Sequence, residues 1–78
     1  MTHLNNVPRR GAIKAFRTLG FEMDDRRGKG SHALIYHPTD TARRTMLARR
    51  DPIARGTLNG MLRDLQVTLE EFKDALGR

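Results

Sequence analysis

The spacing of apolar residues changes twice along this chain of 78 residues, and each change marks a different kind of secondary structure. In residues 8–19 apolar side chains recur every three or four positions, which predicts an amphipathic helix that ends at Gly20. Residues 21–25 alternate between apolar and polar side chains, as in a half-buried strand, and residues 31–37 are rich in strand-forming side chains. From residue 52 the helical spacing returns. We therefore expect the element order α-β-β-β-α-α.

Three short segments are predicted to be strands, at residues 21–25, 31–37 and 45–48. Short turns join them, which favours an antiparallel meander. Such a sheet has one face for helices to cover. The predicted fold class is α+β: a small three-stranded antiparallel sheet with helices on one face and a short C-terminal helix. This arrangement resembles the double-stranded-RNA-binding domain.

Two helices are predicted after the sheet. Asp51-Pro52 is a favourable start for the first of them, with Asp51 as the N-cap and Pro52 at the first helical position. Periodic apolar residues extend this helix to residue 65. Gly56 and Gly60 weaken it relative to alanine, and their spacing of four residues suggests a close approach to a neighbouring element.

The two ends of the chain have contrasting patterns. Thr68 and Glu71 stand at the spacing of a capping box, which predicts the start of the short last helix, and Gly77 would end it. Residues 1–7 have no periodic pattern and are expected to be loose. Residues 1–78 are predicted to form a single domain.

The charge of the chain favours an anionic partner. Fifteen Lys and Arg against nine Asp and Glu give a net charge of +6, and twelve of the basic residues are arginine, which suits bidentate contacts with phosphate. Residues 26–55 hold eight of these cations and two acids. A basic middle region is typical of a nucleic-acid surface, although a solvated basic face would have the same composition.

Other compositional features narrow the class of protein. The chain has no cysteine, which excludes a disulfide framework and a thiolate metal site and suits a cytoplasmic protein. No apolar run has the length of a membrane span, so no membrane association is expected. The carboxylates and histidines do not fall at ligand-like spacings. We therefore expect neither a metal nor another cofactor.

The segment with the strongest chemical signal is Arg26-Arg27-Gly28-Lys29-Gly30-Ser31-His32, a basic glycine turn that leads into the second predicted strand. Histidine can give or take a proton near neutral pH, and metal-independent cleavage of RNA needs such a group. Cations and exposed backbone N–H groups would hold the phosphate. His32 is the candidate catalytic residue, and the candidate RNA-binding residues are Arg26, Arg27, Gly28, Lys29, Gly30, Ser31, Arg49 and Arg50.

His37 is less favourable as a second catalytic group. It lies five residues after His32, so the alternation of a strand places the two side chains on opposite faces. His37 is instead expected to be a strand-end or turn residue. From the residues alone, His32 has a structural alternative too, namely a hydrogen bond at the start of a strand.

A succession of short motifs gives the chain a resemblance to a known family. The motifs are Leu19-Gly20-Phe21, Lys29-Gly30-Ser31-His32, His37-Pro38, Gly56-Thr57-Leu58 and Leu69-Glu70-Glu71-Phe72. In this order, over residues 8–76, they resemble the HicA toxin family, also described as YcfA-like proteins. The resemblance implies a double-stranded-RNA-binding-domain-like fold and an mRNA interferase of a type II toxin–antitoxin system. It also implies that His32 is catalytic and that a HicB-type antitoxin covers its region.

The chain departs from the family pattern at two places. Many relatives have a second histidine where this chain has Ala33, and many end the third strand with a Val-Pro-x-His-like sequence where this chain has Ala48-Arg49-Arg50. The second proton-transfer group is therefore not identified. The alternatives to a ribonuclease are a non-catalytic RNA-binding domain that uses the same basic surface and a module that binds an acidic protein.

Overall fold

The structure is a computed structural model and describes residues 6–25 and 32–77. The elements follow the predicted order α-β-β-β-α-α, which confirms the α+β fold class. Their bounds are α1 Arg9–Thr18, β1 Glu22–Asp24, β2 Ala33–Tyr36, β3 Arg44–Leu47, α2 Arg55–Leu65 and α3 Leu69–Leu76.

The three strands form an antiparallel sheet in the order β1-β2-β3. Met23 pairs with Ile35, and Ile35 pairs with Thr45, so these three residues form one row across the sheet. Ile35 and Thr45 are buried, which identifies this face as the one that packs on the helices. Next to this row, Ala33 pairs with Leu47, and both are buried as well. The antiparallel meander predicted from three short strands joined by short turns is confirmed.

The opposite face of the sheet carries mixed side chains. Its rows are Glu22, Tyr36 and Arg44, and then Asp24, Leu34 and Met46. The Tyr36 hydroxyl donates a hydrogen bond to Glu22 Oε1 at 3.2 Å. Met46 is 39% exposed, so this face is not covered by a helix.

Aromatic side chains from α1, its C-terminal turn and α3 meet in the core. The Phe16 ring lies 6.3 Å from the Phe21 ring and 5.1 Å from the Phe72 ring, measured between centroids. All three rings are buried. Aromatic pairs at these separations contribute beyond the area they bury. They fix α3 against α1.

Gly20 ends α1, as predicted. Its φ of 97° lies in the left-handed region that glycine adopts without a steric penalty. The turn is a Schellman motif, in which Phe21 N donates to Phe16 O at 2.9 Å and Gly20 N donates to Arg17 O at 3.0 Å. This turn reverses the chain and delivers Phe21 to the core.

The start of α2 differs from the sequence prediction. The helix begins at Arg55 after Ala54 and not at Pro52, and Asp51 does not cap it. Ile53 instead forms an isolated β-bridge with Val7, with Ile53 N donating to Val7 O at 2.9 Å. Because the backbone is extended in this bridge, the helix does not begin until Arg55.

Val7 also differs from the expected loose start of the chain. It belongs to the segment 1–7, yet its side chain is fully buried and its carbonyl oxygen holds Ile53 in the bridge. The bridge therefore fixes the chain immediately before α1.

The two glycines of α2 do not mark a close contact. A Cβ atom added at Gly56 or at Gly60 would meet nothing within 4 Å. The close approach to a neighbouring element that their spacing suggested is therefore not present at these two residues.

The capping box that starts α3 is confirmed. Glu71 N donates to Thr68 Oγ1 at 3.1 Å, and Thr68 N donates to Glu71 Oε1 at 2.9 Å. The hydrogen bond from the Thr68 backbone, followed by the one from its hydroxyl, lowers the pKa of Glu71 below its ordinary value. Gly77, with a φ of 84°, ends the helix in the left-handed conformation.

Candidate functional site

His32 lies immediately before β2, and its side chain is exposed. The next residue, Ala33, is buried and pairs with Leu47 of β3. This pair anchors the start of β2. The register, continued by one step, sets His32 beside Ala48 at one end of the sheet.

Arg49 and Arg50 lie at the same end of the sheet as His32. They follow Ala48 directly and are both exposed. Three of the residues predicted for the site therefore lie at the same end of the sheet. The other predicted site residues, 26–31, lie outside the described part of the chain.

The first turn of α1 also reaches this end of the sheet. Arg9 Nε donates a hydrogen bond to the Ala48 carbonyl oxygen at 3.0 Å. Arg9 N donates to Asp51 Oδ1 at 2.9 Å. A helix has unpaired N–H groups in its first turn, so the Asp51 carboxylate satisfies one of them. These two bonds join the start of α1 to the segment that carries Arg49 and Arg50.

A groove of about 530 Å³ runs along α1 from this point. The described residues that line it are Arg9, Arg10, Ile13, Lys14, Arg17 and Asp51. Four of these six residues are basic, one is acidic and one is apolar. We call this surface the α1 groove. The sequence interpretation missed these basic residues, although Arg10, Lys14 and Arg17 stand at helical spacing and that spacing was a usable signal.

His37 is not part of this site. Its Nδ1 accepts hydrogen bonds from Thr39 N at 3.2 Å and from Asp40 N at 3.0 Å. Its ring is nearly perpendicular to the Phe21 ring, with 5.5 Å between the two centroids. It lies five positions after His32 along an extended chain, which corresponds to a separation of about 17 Å. These contacts make His37 a residue that organises the β2–β3 turn, in agreement with its interpretation as a strand-end residue.

Two further observations concern ligands and membranes. In residues 6–25 and 32–77, no three His, Asp or Glu side chains come together in a way that could hold a metal ion. Within the same ranges, every helix is too short or too polar to cross a membrane.

Comparison with known proteins identifies the family. No curated protein is similar enough to the chain to be counted as a relative. The family model described as the HicA toxin of bacterial toxin–antitoxin systems matches residues 9–67, which extend from the start of α1 to just beyond α2 and contain His32. This match covers well over half of the chain and agrees with the resemblance seen in its motifs. The chain therefore belongs to the HicA family of bacterial toxins, which act in toxin–antitoxin systems.

Proposed function

We propose that this toxin is an endoribonuclease, an mRNA interferase that cleaves single-stranded mRNA without a metal ion and uses His32 for proton transfer. The observation that carries the proposal is the exposed imidazole of His32 at the end of the sheet that also presents Arg49 and Arg50. Family membership in a class of toxins supports it.

The chemistry follows from what RNA itself supplies. A base takes the proton of a 2′-hydroxyl, the 2′ oxygen attacks the adjacent phosphorus, and the bond to the 5′ oxygen breaks as an acid protonates that oxygen. The products are a 2′,3′-cyclic phosphate and a free 5′-hydroxyl. His32 serves as the base or as the acid. Arg49 and Arg50, with Lys29 and the arginines at 26 and 27, offset the charge that develops on the phosphate.

The second proton-transfer group does not come from residue 33. Many relatives have a histidine at this position, but Ala33 here is 1% exposed and lies on the face of the sheet that packs on the helices. Arg49 and Arg50 do not fill the role, since arginine remains protonated under ordinary conditions. The partner of His32 is therefore a water molecule, a group of the substrate or a residue outside this strand.

An antitoxin partner follows from family membership, since these toxins act in toxin–antitoxin systems. We further propose that the antitoxin is of the HicB type and that it neutralises the toxin by covering His32 and the arginines beside it. The proposed site of action is the cytoplasm, where mRNA is found.

Cleavage of a labelled mRNA in the presence of EDTA tests the catalytic assignment. We expect the wild-type protein to cleave and His32→Ala to lose at least about 100-fold in rate, the usual contribution of a positioned acid or base. His37→Asn is the matched control, because an asparagine amide oxygen can accept the hydrogen bonds that His37 Nδ1 accepts. This variant should cleave like the wild type.

The same experiment distinguishes the alternative function. If the wild type and His32→Ala bind the mRNA equally and neither cleaves it, the protein is an RNA-binding domain and not a nuclease. If His32→Ala cleaves as fast as the wild type, the role of His32 is wrong. Cleavage that EDTA abolishes would contradict the metal-independent mechanism.

A further inference from the structure

We propose that the α1 groove binds the RNA backbone beyond the nucleotides that react at His32, and so acts as an extended substrate site. This inference rests on the proposed function and deepens it, because it assigns a path to the substrate strand. The residues assigned to this path are Arg9, Arg10, Lys14 and Arg17.

The basic residues of the α1 groove form a stripe along one side of the helix. Arg10, Lys14 and Arg17 are spaced by four and three residues and are all exposed. The buried residues of α1 are Ala12, Ala15 and Phe16, which lie on its other side. From Arg10 to Arg17 the stripe extends about 10 Å along the helix axis. It is long enough to contact more than one phosphate.

The stripe is available to a ligand. Across the two described ranges of the chain, no carboxylate forms an ion pair with Arg10, Lys14 or Arg17. The acid that lines the groove is Asp51, and one of its carboxylate oxygens accepts a hydrogen bond from Arg9 N. Four cations therefore face one carboxylate in a concave surface. Ile13 is half-buried in the same groove and offers an apolar contact to a ribose or a base.

The α1 groove is continuous with the candidate site. Arg9 lines the groove and also donates a hydrogen bond to Ala48, which follows β3 at the end of the sheet where His32 precedes β2. An RNA strand that extends from His32 across this end of the sheet would next reach the first turn of α1. A substrate longer than the reacting nucleotides needs such a surface, and the groove supplies the charge that a phosphate backbone requires.

The identity of the basic side chains also favours phosphate. Three of the four cations are arginines, whose planar guanidinium groups contact phosphate through two hydrogen bonds each. An acidic protein segment would be attracted by the same charge. Binding of RNA and binding of the antitoxin by a groove variant distinguish the two ligands.

Binding of 2′-O-methyl RNA tests this inference, because these oligonucleotides lack the attacking hydroxyl and are not consumed. Affinity is measured for a short and a long oligonucleotide with the wild type, with Lys14→Gln/Arg17→Gln and with Arg44→Gln/Arg63→Gln. The last variant removes the same charge from exposed positions on β3 and α2, outside the α1 groove. Thermal unfolding confirms that all three proteins are folded.

We expect the wild type and the control variant to bind the long oligonucleotide more tightly than the short one. Lys14→Gln/Arg17→Gln should lose most of this advantage, with an affinity for the long RNA about tenfold below that of the control. Each phosphate contact on a single strand contributes about 0.7 to the slope of log affinity against log salt concentration. The slope for the groove variant should therefore fall by about 1.4.

Three results would overturn the inference. If the affinities of the two variants depend equally on RNA length and on salt concentration, α1 does not contact RNA. In that case the proposed function still stands if the wild type cleaves mRNA. Normal RNA binding by the groove variant, combined with loss of binding to the antitoxin, would identify a protein surface. Absence of both RNA binding and mRNA cleavage in the wild type would reject the proposed function together with the groove.

Discussion

The carboxylate of Asp51 has two opposing effects at the start of the α1 groove. It accepts a hydrogen bond from Arg9 N, 42 residues away in the sequence, and so stabilises the first turn of α1. It also places a negative charge among four cations that we propose to bind phosphate. One residue therefore supports the fold and opposes the proposed RNA contact.

Substitution of Asp51 should separate these two effects. Asp51→Ala removes the acceptor and should lower the free energy of unfolding by about 1 kcal/mol, the usual net contribution of one hydrogen bond. Asp51→Asn keeps an oxygen acceptor and should cost less. Both variants remove the negative charge, so their affinity for long 2′-O-methyl RNA should rise. Urea unfolding and oligonucleotide binding measure the two quantities.

Asp74→Asn is the control for this pair, because Asp74 is exposed on α3 and does not line the α1 groove. It should change neither quantity by a comparable amount. An Asp51→Asn variant that binds RNA more weakly than the wild type would contradict the assignment of the groove.

His32 and Asp51 show which single residues the sequence could predict. The position of His32 at the start of the second strand followed from the glycine turn before it and the apolar strand after it, both of which are local patterns. The role of Asp51 depends on a partner far along the chain, while the local Asp-Pro pattern favours a helix start at the same place. Three cations of the α1 groove, Arg10, Lys14 and Arg17, follow a local helical spacing that could have been recognised. Only the contact of Arg9 with Ala48 depends on a partner 39 residues away.

Among the secondary-structure elements, α2 carries an avoidable loss of stability. Gly60 lies inside this helix, where glycine is less favourable than alanine because it loses more backbone freedom on folding. Gly20 is in the opposite situation, since its positive φ is required by the turn that ends α1. The same substitution should thus have opposite effects at the two positions.

Gly60→Ala should raise the free energy of unfolding by about 0.5–1 kcal/mol, since an added Cβ has no neighbour within 4 Å. Gly20→Ala should lower it by about 1–2 kcal/mol, the cost of a left-handed conformation for a residue with a Cβ atom. Urea unfolding of both variants beside the wild type measures the difference. A loss of stability in Gly60→Ala would show that α2 does make a close contact at this position.

At the scale of these elements, sequence patterns with local causes were reliable. Gly20 and the Thr68–Glu71 capping box ended and started helices where the sequence indicated. The predicted beginning of α2 was wrong because Ile53 forms a bridge with Val7, which is distant in the sequence. A local sequence pattern carries no information about such a contact.

For the molecule as a whole, α3 contributes to the hydrophobic core although the family match ends at residue 67. Phe72 of α3 is fully buried and packs on Phe16 of α1. Since α1 also carries the groove and holds Ala48 through Arg9, α3 supports the surface on which we place the RNA. A small domain has little stability to spare, so the loss of one such ring affects every element at once.

Phe72→Ala should therefore cost about 3–5 kcal/mol, the usual penalty for removing a buried aromatic ring, and should leave much of the protein unfolded at 37 °C. Leu69→Ala on the same helix is the control, because Leu69 is 42% exposed and its loss should cost well under half as much. Urea unfolding followed by far-UV circular dichroism measures both. If Phe72→Ala unfolds at the same urea concentration as Leu69→Ala, α3 is an appendage and the domain is complete at residue 67. If Phe72→Ala alone loses stability and mRNA cleavage together, the C-terminal helix is required for the α1 groove and for the His32 site.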